Sequence, residues 1–134
     1  MADAVTSQTL IDGERVAIMK FTNLSDGTGE SKVIKVNASA LGASASGLAC
    51  NGVTITKIHA STHGMEVQIY WDATTDVFCW GVPQNSQYTW DWEKIGGLTN
   101  NAGAGKTGNV LFSTADATSG DFYTIVLEMV KSYG

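Results

Sequence analysis

Charged residues are scarce in this chain, and positively charged residues are the scarcest. Of the 134 residues, 16% are charged, compared with about 25% in an average protein. Lys and Arg together number eight, and the formal net charge is −5. Binding to phosphate groups requires a positive field, so we expect no nucleic-acid partner and no anionic membrane surface as a partner. The low charge also favours a surface that is covered partly by copies of the chain or by partners.

Long apolar runs and a secretory leader are missing as well. The apolar runs are short, such as residues 125–127, which predicts no membrane span. Residues 1–10 are polar and lack the basic and then apolar order of a signal peptide. We therefore expect a protein that is made in a cytoplasm and leaves it only by lysis or inside an assembly.

Cysteine is the third residue type in short supply. The chain has two, Cys50 and Cys79, whereas the disulfide framework of a secreted domain usually has more. A domain of this length buries about two-thirds of its surface on folding, so it needs neither a disulfide nor a metal. We predict two buried free thiols.

What the chain has in abundance is β-strand signal. Alternating and β-branched segments, separated by clusters of Gly, Asn, Asp and Ser, predict about eight strands. Such spacing is typical of a sandwich or barrel, so we predict an all-β fold, a single antiparallel β-sandwich or jelly-roll-like barrel. A turn cluster at residues 25–29 predicts that the first two strands form a hairpin. The predicted strands are residues 16–21, 32–37, 53–58, 66–72, 77–82, 87–92, 107–113 and 122–130.

Composition does not change abruptly along the chain, which predicts one β domain at residues 11–134. Residues 1–10 are predicted to form a flexible N-terminal arm. Residues 38–48 are rich in Ala, Ser and Gly and are predicted to be a loop with at most one helical turn. Residues 96–108 are rich in glycine, and a flexible hairpin tip is the favoured interpretation, although such a loop often has a use.

Two segments carry partial signals for ligand binding. Residues 103–107 resemble the end of a phosphate-binding P-loop, but Asn100 stands where that motif requires glycine, and a strand pattern follows where it requires a helix. His59 and His63 have helical ligand spacing in a region that is predicted to be a strand end and a turn. A metal site needs three or four converging ligands, so ordinary loop histidines are favoured. We predict no cofactor and no metal.

Catalytic patterns are weak. The chain has no Gly-x-Ser-x-Gly segment, and neither cysteine lies in a catalytic signature. Acidic residues near aromatic rings, Asp72, Asp76, Asp91 and Glu93, have the character of a glycosidase site, but solvated turn carboxylates are favoured. We therefore predict that the protein is not an enzyme and has no catalytic residues.

The aromatic residues form the most informative cluster. All four tryptophans, with Tyr70, Phe78 and Tyr88, fall within residues 70–92. Tyr88, Trp90 and Trp92 alternate and are predicted to share one strand face, whereas the neighbours Tyr70 and Trp71 must point to opposite faces. An aromatic core wall is favoured, with a protein interface and a carbohydrate-stacking platform as the alternatives.

The N-terminal third carries three distinctive segments: residues 4–13 (AVTSQTLIDG), 19–23 (MKFTN) and 25–31 (SDGTGES). In these segments the chain resembles small virion structural proteins of tailed bacteriophages. The resemblance is closest over residues 4–40, and it extends to the acidic, Gly- and Thr-rich character of the chain.

This resemblance implies a function in the virion, with a capsid cement or decoration protein favoured. Such a protein would form a homo-oligomer, with a trimer favoured, and clamp neighbouring subunits of the major capsid protein. The alternatives are a structural component of the head–tail neck or tail and, from another class, a carbohydrate-binding β module. The predicted interface residues are Val5, Thr9, Leu10, Ile11, Tyr88, Trp90 and Trp92.

Overall fold

The computed structural model describes residues 3–133, and within that range the chain forms nine strands and two short 3-10 turns. The turns are Ala38–Ala40 and Glu93–Ile95. The strands are β1 (Ala4–Asp12), β2 (Val16–Asp26), β3 (Val33–Val36), β4 (Cys50–His63), β5 (Glu66–Trp71), β6 (Val77–Val82), β7 (Gln87–Asp91), β8 (Val110–Ala115) and β9 (Ser119–Tyr133).

The strands form two antiparallel sheets that pack face to face. The five-stranded sheet has the order β1-β2-β9-β4-β7, and the four-stranded sheet has the order β3-β8-β5-β6. Every strand pair is antiparallel. The prediction of an all-β sandwich is therefore confirmed.

The core lies between the sheets and follows from the period-2 alternation of the long strands. In β9, the buried residues Tyr123, Ile125, Leu127 and Met129 alternate with partly exposed ones. Phe21 of β2 meets Phe112 of β8 edge-on, with ring centroids 5.2 Å apart. One layer across the five-stranded sheet is Ser7–Phe21–Ile125–Ala60–Tyr88, and the layer through Phe112 in the other sheet is Val33–Phe112–Ile69–Trp80.

The predicted hairpin between the first two strands is wrong. β2 pairs with β1 and β9, whereas β3 pairs with β8 in the other sheet. The turn cluster carries the chain across the sandwich, because Thr114 of β8 accepts the Glu30 backbone N–H at 2.8 Å through its hydroxyl. The turn residues were recognisable, but they do not specify which sheet the following strand joins.

Residues 4–10, for which the sequence predicts a flexible arm, lie in β1 and pair with β2 over the whole strand. Leu10 forms a bulge between the pairs Thr9–Met19 and Ile11–Ile18. Every residue of β1 is exposed, so the strand contributes nothing to the core and lacks the alternation that reveals other strands. Residues 1 and 2 of the predicted arm lie outside the described range.

The glycine-rich segment at residues 96–108 connects β7 of one sheet to β8 of the other, so the hairpin-tip prediction is wrong. Its first part is tied to the core by a bridge in which Leu98 N–H donates to the Ile55 carbonyl at 2.7 Å. Both cysteines are free thiols; Cys50 is buried and Cys79 is half-buried.

Candidate functional site

The aromatic residues close one side of the sandwich. Trp80 of β6 packs edge-on against Trp90 of β7 and against Trp92, with ring centroids 5.9 and 4.7 Å apart. Because β6 and β7 are the last strands of their sheets, these three rings seal the edge between them; we call them the aromatic rim. Trp90 and Trp92 are half-buried, which supports the core-wall interpretation over a sugar platform.

Tyr88 and Trp90 share one strand face as predicted, whereas Trp92 lies just past the end of β7 and is not part of that face. Tyr88 and Trp90 pair with Ala60 and Ile58, whose side chains point into the core, so the predicted common face is the inner one. Tyr88 lies at the end of the aromatic rim and is 60% exposed. Trp71 is 1% exposed, whereas Tyr70 points outward and meets Phe78 edge-on.

At the opposite side of the sandwich, formed by β1 and β3, no large side chain of residues 3–133 fills the space between the sheets. Val5, Ser7 and Thr9 of β1 pair with Asn23, Phe21 and Met19 of β2, which all point inward. These three β1 residues are nevertheless exposed, 47% in the case of Val5. Across the gap, Val33 of β3 is beside buried Phe112 and is 40% exposed. We call Val5, Ser7, Thr9 and Val33 the open rim.

Two aspartates hold the ends of β1. At the first end, Asp3 accepts hydrogen bonds from Asn23 Nδ2 at 3.0 Å, Ser25 Oγ at 3.1 Å, and the backbone N–H groups of Asp26 and Gly29, both at 3.2 Å. Burial raises the pKa of the Asp3 carboxyl, but these donors outweigh it, and the pKa lies below its ordinary value of 3.8.

At the other end of β1, Asp12 accepts from Lys131 Nζ at 2.6 Å and from the Gly42 N–H at 2.8 Å. The bond from Lys131 is the main cause that holds the pKa of Asp12 below its ordinary value. Both end carboxylates therefore have partners within the chain. The stretch of β1 between them carries no charged side chain.

A buried polar network lies beneath the open rim. Lys35 of β3 and Glu30 form an ion pair at 2.5 Å with side chains 3% and 6% exposed. Glu30 also accepts from the Tyr123 hydroxyl at 2.7 Å and from Asn23 Nδ2 at 2.8 Å. Burial, and then the Glu30 carboxylate, raise the pKa of Tyr123 above its ordinary value. Through Glu30, the network joins β3 to β2 and β9 beneath the open rim.

The outer face of the five-stranded sheet exposes several apolar side chains. Leu24 and Phe122 are cross-strand neighbours, 57% and 40% exposed, and His63 stacks on Phe122 with centroids 5.5 Å apart. Towards the other end of the sheet, Ile11 and Val16 are 49% and 37% exposed. We call Leu24, Phe122, Ile11 and Val16 the apolar outer face. Of the predicted interface residues, only Ile11 belongs to it; Leu10 is in the bulge and is 47% exposed.

The histidines that had suggested a metal site have other partners. The region was predicted to be a strand end and a turn; both histidines lie within β4, which continues past the predicted end at residue 58 to His63. His59 contacts Glu128 through Nε2 and Thr89 Oγ1 through Nδ1, the latter at 3.1 Å. Within residues 3–133, no group of three His, Cys, Asp or Glu side chains has an arrangement that could hold a metal ion.

The four carboxylates considered for glycosidase chemistry have structural contacts. Asp72 accepts from Thr107 Oγ1 at 2.7 Å, and Asp76 accepts from the Ala73 N–H at 3.1 Å. Asp91 accepts from the N–H of Glu93 at 2.9 Å, and Glu93 pairs with Lys57 at 3.1 Å. Each pair therefore stabilises a turn or a strand end.

A comparison with protein-family models finds no match for this chain, and a comparison with curated proteins finds none. Over residues 3–133, no helix has the length and apolar character required to cross a membrane. The surfaces described above are therefore the basis for assigning a function.

Proposed function

We propose that the chain is a structural protein of a bacteriophage virion, a capsid cement protein that binds across neighbouring subunits of the major capsid protein. The observation that carries this proposal is the apolar outer face. This sheet face exposes one apolar pair at each end, Leu24 with Phe122 and Ile11 with Val16, and each pair is suited to contact with another protein.

The energetics of such a clamp follow from burial. Complete burial of a large apolar side chain contributes about 1.5–3 kcal/mol, so covering a half-exposed one contributes about 1 kcal/mol. Each pair of such residues provides about 2 kcal/mol towards attachment, before the cost of association. A rigid two-sheet body would resist separation of the subunits that it contacts. The resemblance of residues 4–40 to virion proteins implies the major capsid protein as the partner.

The test is attachment to empty shells. The wild-type chain should co-sediment with empty capsids, and the Leu24→Ser/Phe122→Ser double variant should bind at least tenfold more weakly. Tyr88→Ser is the matched control, because Tyr88 is more exposed than either residue and lies at the other side of the sandwich. Circular dichroism should show that all three proteins are folded.

Failure of the wild type to bind shells, with binding to purified necks or tails instead, would replace the capsid assignment with a neck or tail component. Equal binding of the double variant and Tyr88→Ser would show that the apolar outer face is not the contact surface.

A further inference from the structure

The two sheets of the sandwich differ by one strand, and the difference lies at the open rim. β1 extends the five-stranded sheet past the end of the four-stranded sheet, so its inward-pointing side chains face an empty position beside β3. That position is about 5 Å wide, the spacing of one strand, and sheets pack about 10 Å apart. The four-stranded sheet therefore has a vacancy for one additional strand.

The vacancy is bounded at both ends by this chain. Gly29 N–H binds Asp3 at one end of β1, and Gly42 N–H binds Asp12 at the other. Between them the exposed backbone edge of β1 lacks the charges and prolines that usually protect an edge strand, and its bulge comes only at Leu10. The short β3 adds a second free edge, with Val33 exposed beside it.

We propose that a second copy of this chain fills the vacancy, through a two-fold axis parallel to the strands. A rotation of 180° about that axis places the five-stranded sheet of one copy in line with the four-stranded sheet of the other. The projecting β1 of each copy then lies beside β3 of its partner, and the two β1 strands pack face to face. The result is two continuous sheets, each made of five strands from one copy and four from the other.

Strand directions permit this pairing. β1 and β9 run the same way, because each is antiparallel to β2. The short turn at residues 116–118 reverses the chain between β8 and β9, and β3 is antiparallel to β8. Thus β3 and β1 run in the same direction, and the new pair formed across the axis is parallel, which is a permitted ladder.

Charge and shape both favour a copy of this chain as the occupant. A projection one strand wide matches a vacancy one strand wide, so the rim is complementary to itself, as an isologous interface requires. Each copy carries a net charge of −5, yet the open rim is uncharged. The carboxylates at its ends are already paired with Asn23 and Lys131. The resemblance to virion proteins implies a trimer, but this rim fits two copies.

The experiment uses the isolated full chain and no shells, so its result is independent of the proposed capsid function. Sedimentation equilibrium should give twice the chain mass of 14.2 kDa at micromolar concentration. Ser7→Glu places a carboxylate at the centre of the open rim, opposite its symmetry mate, and should raise the dimer dissociation constant at least 100-fold. Gln8→Glu is the matched control on the outward face of the same strand and should change it less than threefold.

Hydrogen exchange at low and high protein concentration gives a second readout. The dimer should protect backbone amides on the free edges of both β1 and β3 as concentration rises. Protection of β1 alone would mean that two β1 strands pair edge to edge, and it would overturn the proposed arrangement. A monomeric or trimeric wild type, or equal effects of Ser7→Glu and Gln8→Glu, would also overturn it.

Discussion

The space between the two sheets is closed at one side of this sandwich and left open at the other. At the aromatic rim, the sheets end together and large rings from β6 and β7 fill the space between them. At the open rim, one sheet projects past the other, and the inward residues on the projecting strand are small or exposed. Side chains of the chain itself exclude water from the first side, whereas the second side depends on something outside the chain. The first side is therefore built for folding, and the second is available for association.

The largest effect should come from breaking the buried ion pair beneath the open rim. Glu30→Gln leaves the Lys35 ammonium buried without a counter-charge, which typically costs about 3–5 kcal/mol. Urea unfolding at neutral pH should show this loss in the free energy of unfolding. The Glu30→Gln/Lys35→Met double variant removes the orphaned charge and should recover part of the loss. A single variant as stable as the wild type would mean that the pair does not order this side.

Removal of the central ring of the aromatic rim should have the next largest effect. Trp80→Ala should lower the free energy of unfolding by about 3 kcal/mol, since Trp80 contacts Trp90 and Trp92 and leaves a cavity. Tyr88 lies at the exposed end of the aromatic rim, so Tyr88→Ala should lower the free energy of unfolding by less than about 1 kcal/mol. Similar losses for the two variants in urea unfolding would contradict a seal centred on Trp80.

Acid should weaken the open rim more than the aromatic rim. The folded pKa of Asp12 lies below its ordinary value, so its contribution to stability is present above pH 3.8 and is lost as pH falls through the lowered pKa. The side chain is 27% exposed, so solvent screening limits the effect to about 1 kcal/mol or less. Asp12→Asn should therefore lose less stability than the wild type between pH 6 and pH 2 in urea titrations. An identical pH dependence would exclude this role for Asp12.

The smallest effect concerns reactivity and not stability. Burial raises the pKa of the Cys79 thiol to about 12, which lowers its thiolate fraction about a thousandfold relative to an ordinary cysteine. Cys79 should therefore react slowly with a disulfide reagent at pH 8 in the folded protein and rapidly in urea. Cys50→Ser would isolate the signal of Cys79. Fast labelling of the folded protein would mean that β6 opens readily.

Strands with an alternating or β-branched apolar pattern were predictable from the sequence, and β1 was missed. β6 has the predicted bounds, and β9 was recognised by Tyr123 and the residues that alternate with it. β1 has no buried residue and is ordered by its ladder with β2 and by the hydrogen bonds of Asp3 and Asp12 at its ends, so no hydrophobic alternation reveals it. Partner choice was equally hidden, because a turn cluster reverses the chain without specifying the sheet that it enters.

The candidate surfaces were predictable only in part. Alternation was enough to place Tyr88 and Trp90 on one face, but only the register with β4 shows that this face is the inner one. The pairing of Leu24 with Phe122 joins residues far apart in sequence, and no local signal reports it. The vacancy at the open rim depends on the different numbers of strands in the two sheets, which is a property of the whole fold.

The direction of β1 and β9 has a mechanical consequence. Both strands run the same way, so Asp3 and Tyr133 lie at opposite poles of the sandwich, and the one backbone ladder of β1 within residues 3–133 is the ladder with β2. Tension applied between those poles runs along β1, at right angles to its hydrogen bonds with β2. All the bonds of that ladder are then loaded in shear together instead of opening one after another. A protein stretched in this direction would come apart only when all the hydrogen bonds between β1 and β2 break together.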